Sequence, residues 1–254
     1  GLDIQRAAGE RLAKIFLELG GKNPLVVCDD ADIARAVHWS LLSAFSNAGQ
    51  RCASASRIIV CDGVYDQFRR EFLARAATLR VGTGDQDDFG PVINARQLDT
   101  MLAAVDRAQA QGARVVLGGK RLDDPEHAKG FYMAATVIEG ADPAWDISRK
   151  ELFGPITCLY RARDFAHALE LANDSPYGLT ACVHTRSLDR AMEFQRRAQA
   201  GVVVVNAGTF GSEPHMPFGG LKLSGNGLRE PGTEALDVYC EWQTLYTHHT
   251  PEDA

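Results

Sequence analysis

Val202-Val203-Val204-Val205 stands between an amphipathic stretch, 187–199, and the turn-forming Asn206-Ala207-Gly208. Four successive β-branched residues read as a strand, and a strand that is apolar at every position reads as buried on both faces. The pattern recurs upstream. Leu25-Val26-Val27-Cys28 and residues 56–60, 156–160 and 179–184 are short, largely apolar runs. Helical periodicity fills 64–79, 94–111, 164–173 and 187–199, with a further strand at 115–117 and an extended stretch near 136–138. Strands alternating with amphipathic helices predict an α/β fold of three layers, αβα, around a mainly parallel sheet. Residues 118–130 are polar and turn-like, as a surface loop would be.

Asp29 and Asp30 occupy the place of a helix N-cap, where a short carboxylate accepts the free N–H groups of the first turn. The helix they open runs to about Asn47, with Ile33, Val37, Leu41, Ala44 and Phe45 on one face and Gly49 at the exit. At the start of the chain, 5–14 reads as a helix and 15–19 as a short strand ending at Gly20-Gly21. No strand precedes residue 5 to complete a right-handed crossover, so the chain is expected to begin inside a larger α/β protein. The tail 236–249 alternates weakly (Leu236, Val238, Cys240, Trp242, Leu245) and is expected to form a strand. An aromatic edge strand invites pairing with another chain, so a homo-oligomer is expected.

With 27 basic against 33 acidic residues, the net charge of −6 argues against a nucleic-acid-binding domain. No apolar run reaches the roughly 18 residues of a membrane helix. Asp3, Arg6, Glu10, Arg11 and Lys14 exclude a secretory apolar core at the start of the chain. Six cysteines without a C-x-x-C pair predict mostly small, buried thiols in a reducing compartment, the cytoplasm. The seven histidines are scattered, and no metal is expected.

Cys52 differs from the other thiols. It lies in a loop of small residues, Gly49-Gln50-Arg51-Cys52-Ala53-Ser54, without bulky apolar neighbours. Arg51 and Arg57 are close in sequence, and a nearby cation lowers a thiol pKa. Taken alone, such a cysteine more commonly fills a tight turn. Glu18, inside Phe16-Leu17-Glu18-Leu19, either points to solvent or is buried with a raised pKa, which suits a general base. Glu151-Leu152-Phe153-Gly154-Pro155 and Pro217-Phe218-Gly219-Gly220 allow close backbone approach to a ligand, although glycine and proline also simply make turns. Gly225-x-Gly227 lacks the strand–turn–helix context of a dinucleotide fingerprint.

Together, Leu17-Glu18-Leu19-Gly20-Gly21-Lys22-Asn23-Pro24, Gly49-Gln50-Arg51-Cys52, Glu151-x-Phe153-Gly154-Pro155, Asn206 and Pro217-Phe218-Gly219-Gly220 resemble the aldehyde dehydrogenase superfamily, in its order and with similar spacing along the whole chain. The resemblance implies that family's catalytic-domain fold, with NAD or NADP as cofactor. It makes Cys52 the nucleophile and Glu18 the general base. Glu151 matches the acidic residue that holds the nicotinamide ribose, Phe153 the aromatic beside the nicotinamide, and Leu19 the carbonyl that meets the carboxamide. Asn206 matches a residue near the substrate pocket. Glu230 matches a carboxylate sometimes placed on a proton-exit path, although a structural ion pair is the expected role.

The resemblance further implies three parts. Residues 1–20 would be the last helix and strand of a truncated dinucleotide-binding domain, 21–235 the catalytic domain, and 236–254 an oligomerisation arm giving a homodimer or homotetramer. The chain alone would be an inactive fragment. The expected reaction is oxidation of an aldehyde to the acid through a cysteine thiohemiacetal and thioester. A coenzyme-A-acylating relative is the alternative that Glu18 disfavours, since acyl transfer needs no hydrolytic base. A non-catalytic binding or structural relative is the other, and it would require neither Cys52 nor Glu18. The Gln50-Arg51-Cys52 stretch and the 213–245 region are similar to dehydrogenases of 2-oxoglutarate semialdehyde and other short semialdehydes. Arg51 or His215 would attract the substrate carboxylate, unless Arg51 is fixed in an ion pair elsewhere.

Overall fold

The computed structural model describes residues 1–211 and 213–249. The elements follow in the order α1 (Leu2–Gly9), β1 (Asn23–Val27), α2 (Ile33–Phe45), a 3-10 turn (Ser46–Gly49), β2 (Ala55–Cys61), α3 (Asp62–Ala76) and α4 (Ala95–Ala110). Next come β3 (Arg114–Leu117), β4 (Thr136–Glu139), α5 (Asp146–Arg149), β5 (Ile156–Ala162), α6 (Phe165–Asn173), β6 (Tyr177–Gly178) and β7 (Thr180–His184). The chain closes with α7 (Leu188–Arg197), β8 (Val202–Val205), β9 (Leu221–Lys222), a second 3-10 turn (Thr233–Ala235) and α8 (Leu236–Tyr239).

Seven strands form one sheet in the order β3-β4-β5-β2-β1-β7-β8. Every pairing is parallel except that of β3 with β4. Strand β1 lies inside this sheet, with Val26 in register with Ile59 on one side and Val183 on the other. Alternation along β1 sorts its residues into two cores. Leu25 and Val27 join Phe45, Phe68, Phe72, Leu98 and Met101, whereas Val26 and Cys28 join Leu169, Ala172 and Phe194. The first core is roofed by α2, α3 and α4 and the second by α6 and α7, which makes the three layers. The amino ends of β1, β2 and β7 lie at one edge of the sheet, and the segments that carry Glu18 and Cys52 lead directly into β1 and β2.

Several local expectations are corrected. The first helix ends at Gly9 instead of continuing to residue 14. Residues 15–19 form no strand, only an isolated bridge between Glu18 and Gly225. With no neighbouring strand, their backbone is satisfied piecemeal: Leu19 N donates to Ser224 O at 3.0 Å and Asn226 Nδ2 donates to Ile15 O at 2.9 Å. Asp32, not Asp29 or Asp30, caps α2 by accepting from Arg35 N. Asp30 instead accepts from the Thr185 hydroxyl and from Arg186 N and Ser187 N, tying β1 to the entry of α7. Strand β8 is only half-buried, because it is the sheet edge. The tail forms the short helix α8 and then no strand through residue 249, with Trp242 92% exposed. Residues 250–254, part of the expected arm, lie outside the described residues.

Candidate active site

The turn that presents Cys52 is shaped by unusual backbone. Asn47, Ala48 and Gly49 all have positive φ, 54°, 53° and 64°. At Gly49 the left-handed conformation strains any side chain, and the Gly154 carbonyl, with which a Cβ would collide, excludes one. Gln50 anchors the next step, its amide donating to Pro91 O at 3.1 Å and accepting from Ile93 N at 2.9 Å. Asn23, at the start of β1, donates to Cys52 O at 2.8 Å and Ser54 O at 2.9 Å. Thr209 Oγ1 donates to Ala53 O at 2.6 Å, joining the turn to the loop after β8. Cys52 is therefore an exposed residue with a part-buried thiol, on a turn fixed from four sides.

Glu18 meets this turn from the segment before β1. Its carboxylate lies so close to Gly219 that a Cβ there would be 2.7 Å from Oε1. Partial burial, reinforced by the negative charge of Glu230 and opposed by Arg229, raises the Glu18 pKa to about 7. Glu151 approaches from the loop before β5. Its Oε1 accepts from Gly21 N at 3.1 Å, and its carboxyl group packs where a Cβ on Gly20 would stand. Burial raises its pKa, against the Gly21 N–H and the Lys22 charge. Phe153 adopts φ 53° and leaves its ring substantially exposed.

The Cys52 pKa is raised, not lowered. Burial of the thiol is the largest cause, and the charges of Glu151 and Glu18 add to it, while the Ala53 and Cys52 N–H groups oppose. The arginines expected to lower it are spent elsewhere. Arg57 is buried and donates to the carbonyls of Lys22, Leu171, Ala172 and Asp174. Arg51 stacks its guanidinium 4.9 Å from the centre of the Phe210 ring. Glu18 and Glu151 thus approach from two separate segments closely enough for both charges to act on Cys52.

The model of the aldehyde dehydrogenase family matches residues 1–245. The chain belongs to the aldehyde dehydrogenase family. Among its relatives, the alpha-ketoglutaric semialdehyde dehydrogenase of Bacillus subtilis (strain 168) is 34% identical over 97% of this chain and 51% of its own length. The succinate semialdehyde dehydrogenase [NAD(P)+] Sad of Escherichia coli (strain K12) is 37% identical over 97% of this chain and 52% of its own length. The crystal structure of betaine aldehyde dehydrogenase from Staphylococcus aureus in complex with NAD+ superimposes with a TM-score of 0.90 at 34% identity, over 94% of this chain and 47% of that one. The chain spans about half the length of the relatives it matches.

In this member of the family, Leu19, Gly20 and Glu151 share an open cleft of about 470 Å³ with Leu2, Tyr177 and Lys222. The Leu19 carbonyl accepts no backbone hydrogen bond among the described residues, and Gly20 leaves the face of Glu151 uncovered. A free acceptor beside a carboxylate suits the amide and hydroxyls of a nicotinamide riboside.

The remaining expected site residues are placed differently. Asn206 lies past the carboxyl end of β8, and both halves of its amide bond Thr185, at 2.9 and 2.8 Å. Cys52 precedes the amino end of β2, so the two stand at opposite ends of the parallel sheet, and the Asn206 amide holds the start of the loop that follows β8. His215 is exposed on that loop and has no hydrogen bond to a described residue. Glu230 forms no ion pair among the described residues, correcting that expectation; its backbone pairs with Phe218 and its charge acts on Glu18. Asn23 and Thr209 were not singled out in the sequence. A buried polar residue opening an apolar strand was the available signal for Asn23. No three His, Cys, Asp or Glu side chains group as metal ligands among the described residues.

Proposed function

We propose that the full-length protein oxidises an aldehyde to the carboxylic acid with NAD or NADP, using Cys52 as nucleophile and Glu18 as general base. The observation that carries this reading is a part-buried carboxylate, its pKa raised to about 7, whose charge reaches the Cys52 thiol. A base of that pKa is half-ionised at neutral pH, the best compromise between availability and strength.

The Cys52 thiol gives its proton to solvent, Sγ bonds to the carbonyl carbon as the C=O π pair moves to oxygen, and the new oxyanion accepts from the Cys52 N–H. A nicotinamide, when bound, supplies the hydride acceptor. Loss of hydride from the thiohemiacetal carbon leaves a thioester on Cys52. Glu18 then takes a proton from water, the water oxygen bonds to the thioester carbon, and the C–S bond breaks to return the thiol. Glu151 would hold the ribose hydroxyls, the Leu19 carbonyl the carboxamide, and Phe153 the nicotinamide face.

The substrate class follows from Arg51. It is exposed, makes no ion pair among the described residues, and is steadied on Phe210 beside the nucleophile. A planar cation with free N–H groups is suited to a carboxylate, so a short semialdehyde is the proposed substrate. The names of the Bacillus subtilis and Escherichia coli relatives agree with this choice.

Residues 1–20 are assigned to the end of a dinucleotide-binding domain, 21–235 to the catalytic domain and 236–254 to an arm. Exposed Tyr239, Trp242, Leu245 and Tyr246 support burial of that arm in a homodimer or homotetramer. Six free cysteines support a cytoplasmic location, and no described helix is long and apolar enough to cross a membrane. The test is reduced-nicotinamide absorbance of the full-length protein with carboxylate-bearing and neutral aldehydes. Turnover that Cys52→Ala abolishes is expected; turnover that survives it rejects the reading.

A further inference from the structure

Lys22 follows the Gly20-Gly21 pair that Glu151 packs against, and only 3% of it is exposed. A lysine buried to that degree is ordinarily paired, because an uncompensated ammonium is costly to remove from water. Lys22 has no side-chain hydrogen bond or ion pair to a described residue; its backbone carbonyl alone is engaged, by Arg57 Nε at 2.9 Å. It lines two small cavities, one with Asn23, Tyr177 and Thr180 and one with Ser54, Ser56 and Glu151, the latter with room for about one water molecule, ≈ 10 Å³. The hydroxyls of Ser54 and Ser56 are buried without a hydrogen-bond partner. Polar groups without protein partners around a space of that size are the conditions under which a buried water is held.

The titratable groups that reach Lys22 are, largest first, the Cys158 thiol on β5, Arg57 on β2 and Glu151. Burial, foremost, lowers its pKa to about 8, so the ammonium persists at neutral pH. Glu151 in turn faces Lys22, the Gly21 N–H and Cys52.

We propose that Lys22 is a positioning residue: through a water held by Ser54 and Ser56, it keeps the Glu151 carboxylate ionised and oriented for the nicotinamide nucleotide. The proposal rests on the reading of Glu151 as the ribose-binding carboxylate. It explains why a stretch that gains nothing in stability from a buried ammonium carries one. Removing the charge takes away one of the two influences that hold the Glu151 pKa down. Neutral Glu151 then accumulates at a higher pH, and cofactor affinity declines from a higher pH as the solution is acidified.

The experiment measures NAD dissociation constants of the full-length protein from pH 5.5 to 9 for wild type, Lys22→Met, Glu151→Gln and the double variant. Lys22→Met is expected to bind NAD more weakly on the acid side of its pH profile, where loss of the Lys22 charge lets neutral Glu151 accumulate. Its acid limb should move to higher pH, with no drop in melting temperature. Lys22→Gln, which keeps a donor and loses the charge, should show the same displacement and replaces Lys22→Met if methionine does not fold. In the double variant, loss of Lys22 should add nothing to loss of Glu151. A lower melting temperature with weakening equal at every pH would reduce Lys22 to a structural role and overturn the proposal. Weak binding by Glu151→Gln beside normal binding by Lys22→Met would overturn the Lys22 proposal alone. Normal binding by Glu151→Gln would overturn the ribose reading and, with it, this inference.

Discussion

The amide of Asn23 donates to the carbonyl of Cys52 at 2.8 Å, while its oxygen accepts from Thr180 N at 3.1 Å. One side chain thus fixes the nucleophile's turn to two neighbouring strands of the sheet. Asn23→Ala leaves buried carbonyls unsatisfied and should lower stability by about 1–3 kcal/mol. A loosened turn misplaces the thiol, and a displacement of about 1 Å costs on the order of a hundredfold in turnover. Urea unfolding and steady-state kinetics of the full-length protein check both, and a variant with wild-type midpoint and turnover would refute the clamp.

The pH dependence follows from Glu18. A base acts deprotonated, so thioester hydrolysis should fall as pH drops below about 7. Glu230→Gln removes a charge that raises this pKa and should move the acid limb down; Arg229→Met removes an opposing charge and should move it up. The linkage has the matching sign. The folded chain binds the Glu18 proton more tightly than the unfolded chain, so its contribution is fully present below the ordinary carboxylate range and is lost as pH rises through about 7. Glu18→Gln should therefore gain stability at pH 8 relative to wild type and little at pH 4. Pre-steady-state pH–rate profiles and melting curves test the two statements separately.

Gly49 makes a close backbone approach to Gly154 beneath the Cys52 turn. Gly49→Ala would place a Cβ at φ 64° and against the Gly154 carbonyl. Left-handed strain alone costs about 1–3 kcal/mol, before any clash. The variant should melt well below wild type, and an unchanged melting temperature would contradict the packing of the Cys52 turn on the Glu151–Gly154 loop.

The proposed role of Arg51 in substrate preference has a direct test. A charge-assisted bond of about 1.5–3 kcal/mol corresponds to roughly 10- to 150-fold in kcat/KM. Arg51→Met should lose that much toward semialdehydes and little toward a neutral aldehyde of equal length. An equal loss toward both would assign Arg51 to the architecture of the turn.

How much of this was legible depended on what kind of interaction set each feature. Leu25-Val26-Val27 and Val202–Val205 announced the sheet because burial dictates composition. The helices over α3 and α4 followed from periodicity for the same reason. The choice between Asp30 and Asp32 as cap was not readable, since Asp30 is claimed by Thr185, Arg186 and Ser187 some 155 residues away. Residues 15–19 have the composition of a strand without a neighbour to pair with. Cys52, Glu18 and Glu151 were found through motifs. The electrostatics of Cys52 were misread because closeness in sequence says nothing of where Arg57 points: into four carbonyls.

The central claim is that Glu18 serves the hydrolysis of a Cys52 thioester. Rapid-mixing measurement of reduced cofactor in the full-length protein, with Glu18→Gln against wild type, tests it most directly. The account predicts a burst approaching one equivalent per active site followed by a steady rate about 10²- to 10⁴-fold below wild type. Burst and steady phases lost in equal proportion would contradict it, because Glu18 would then act before the thioester forms.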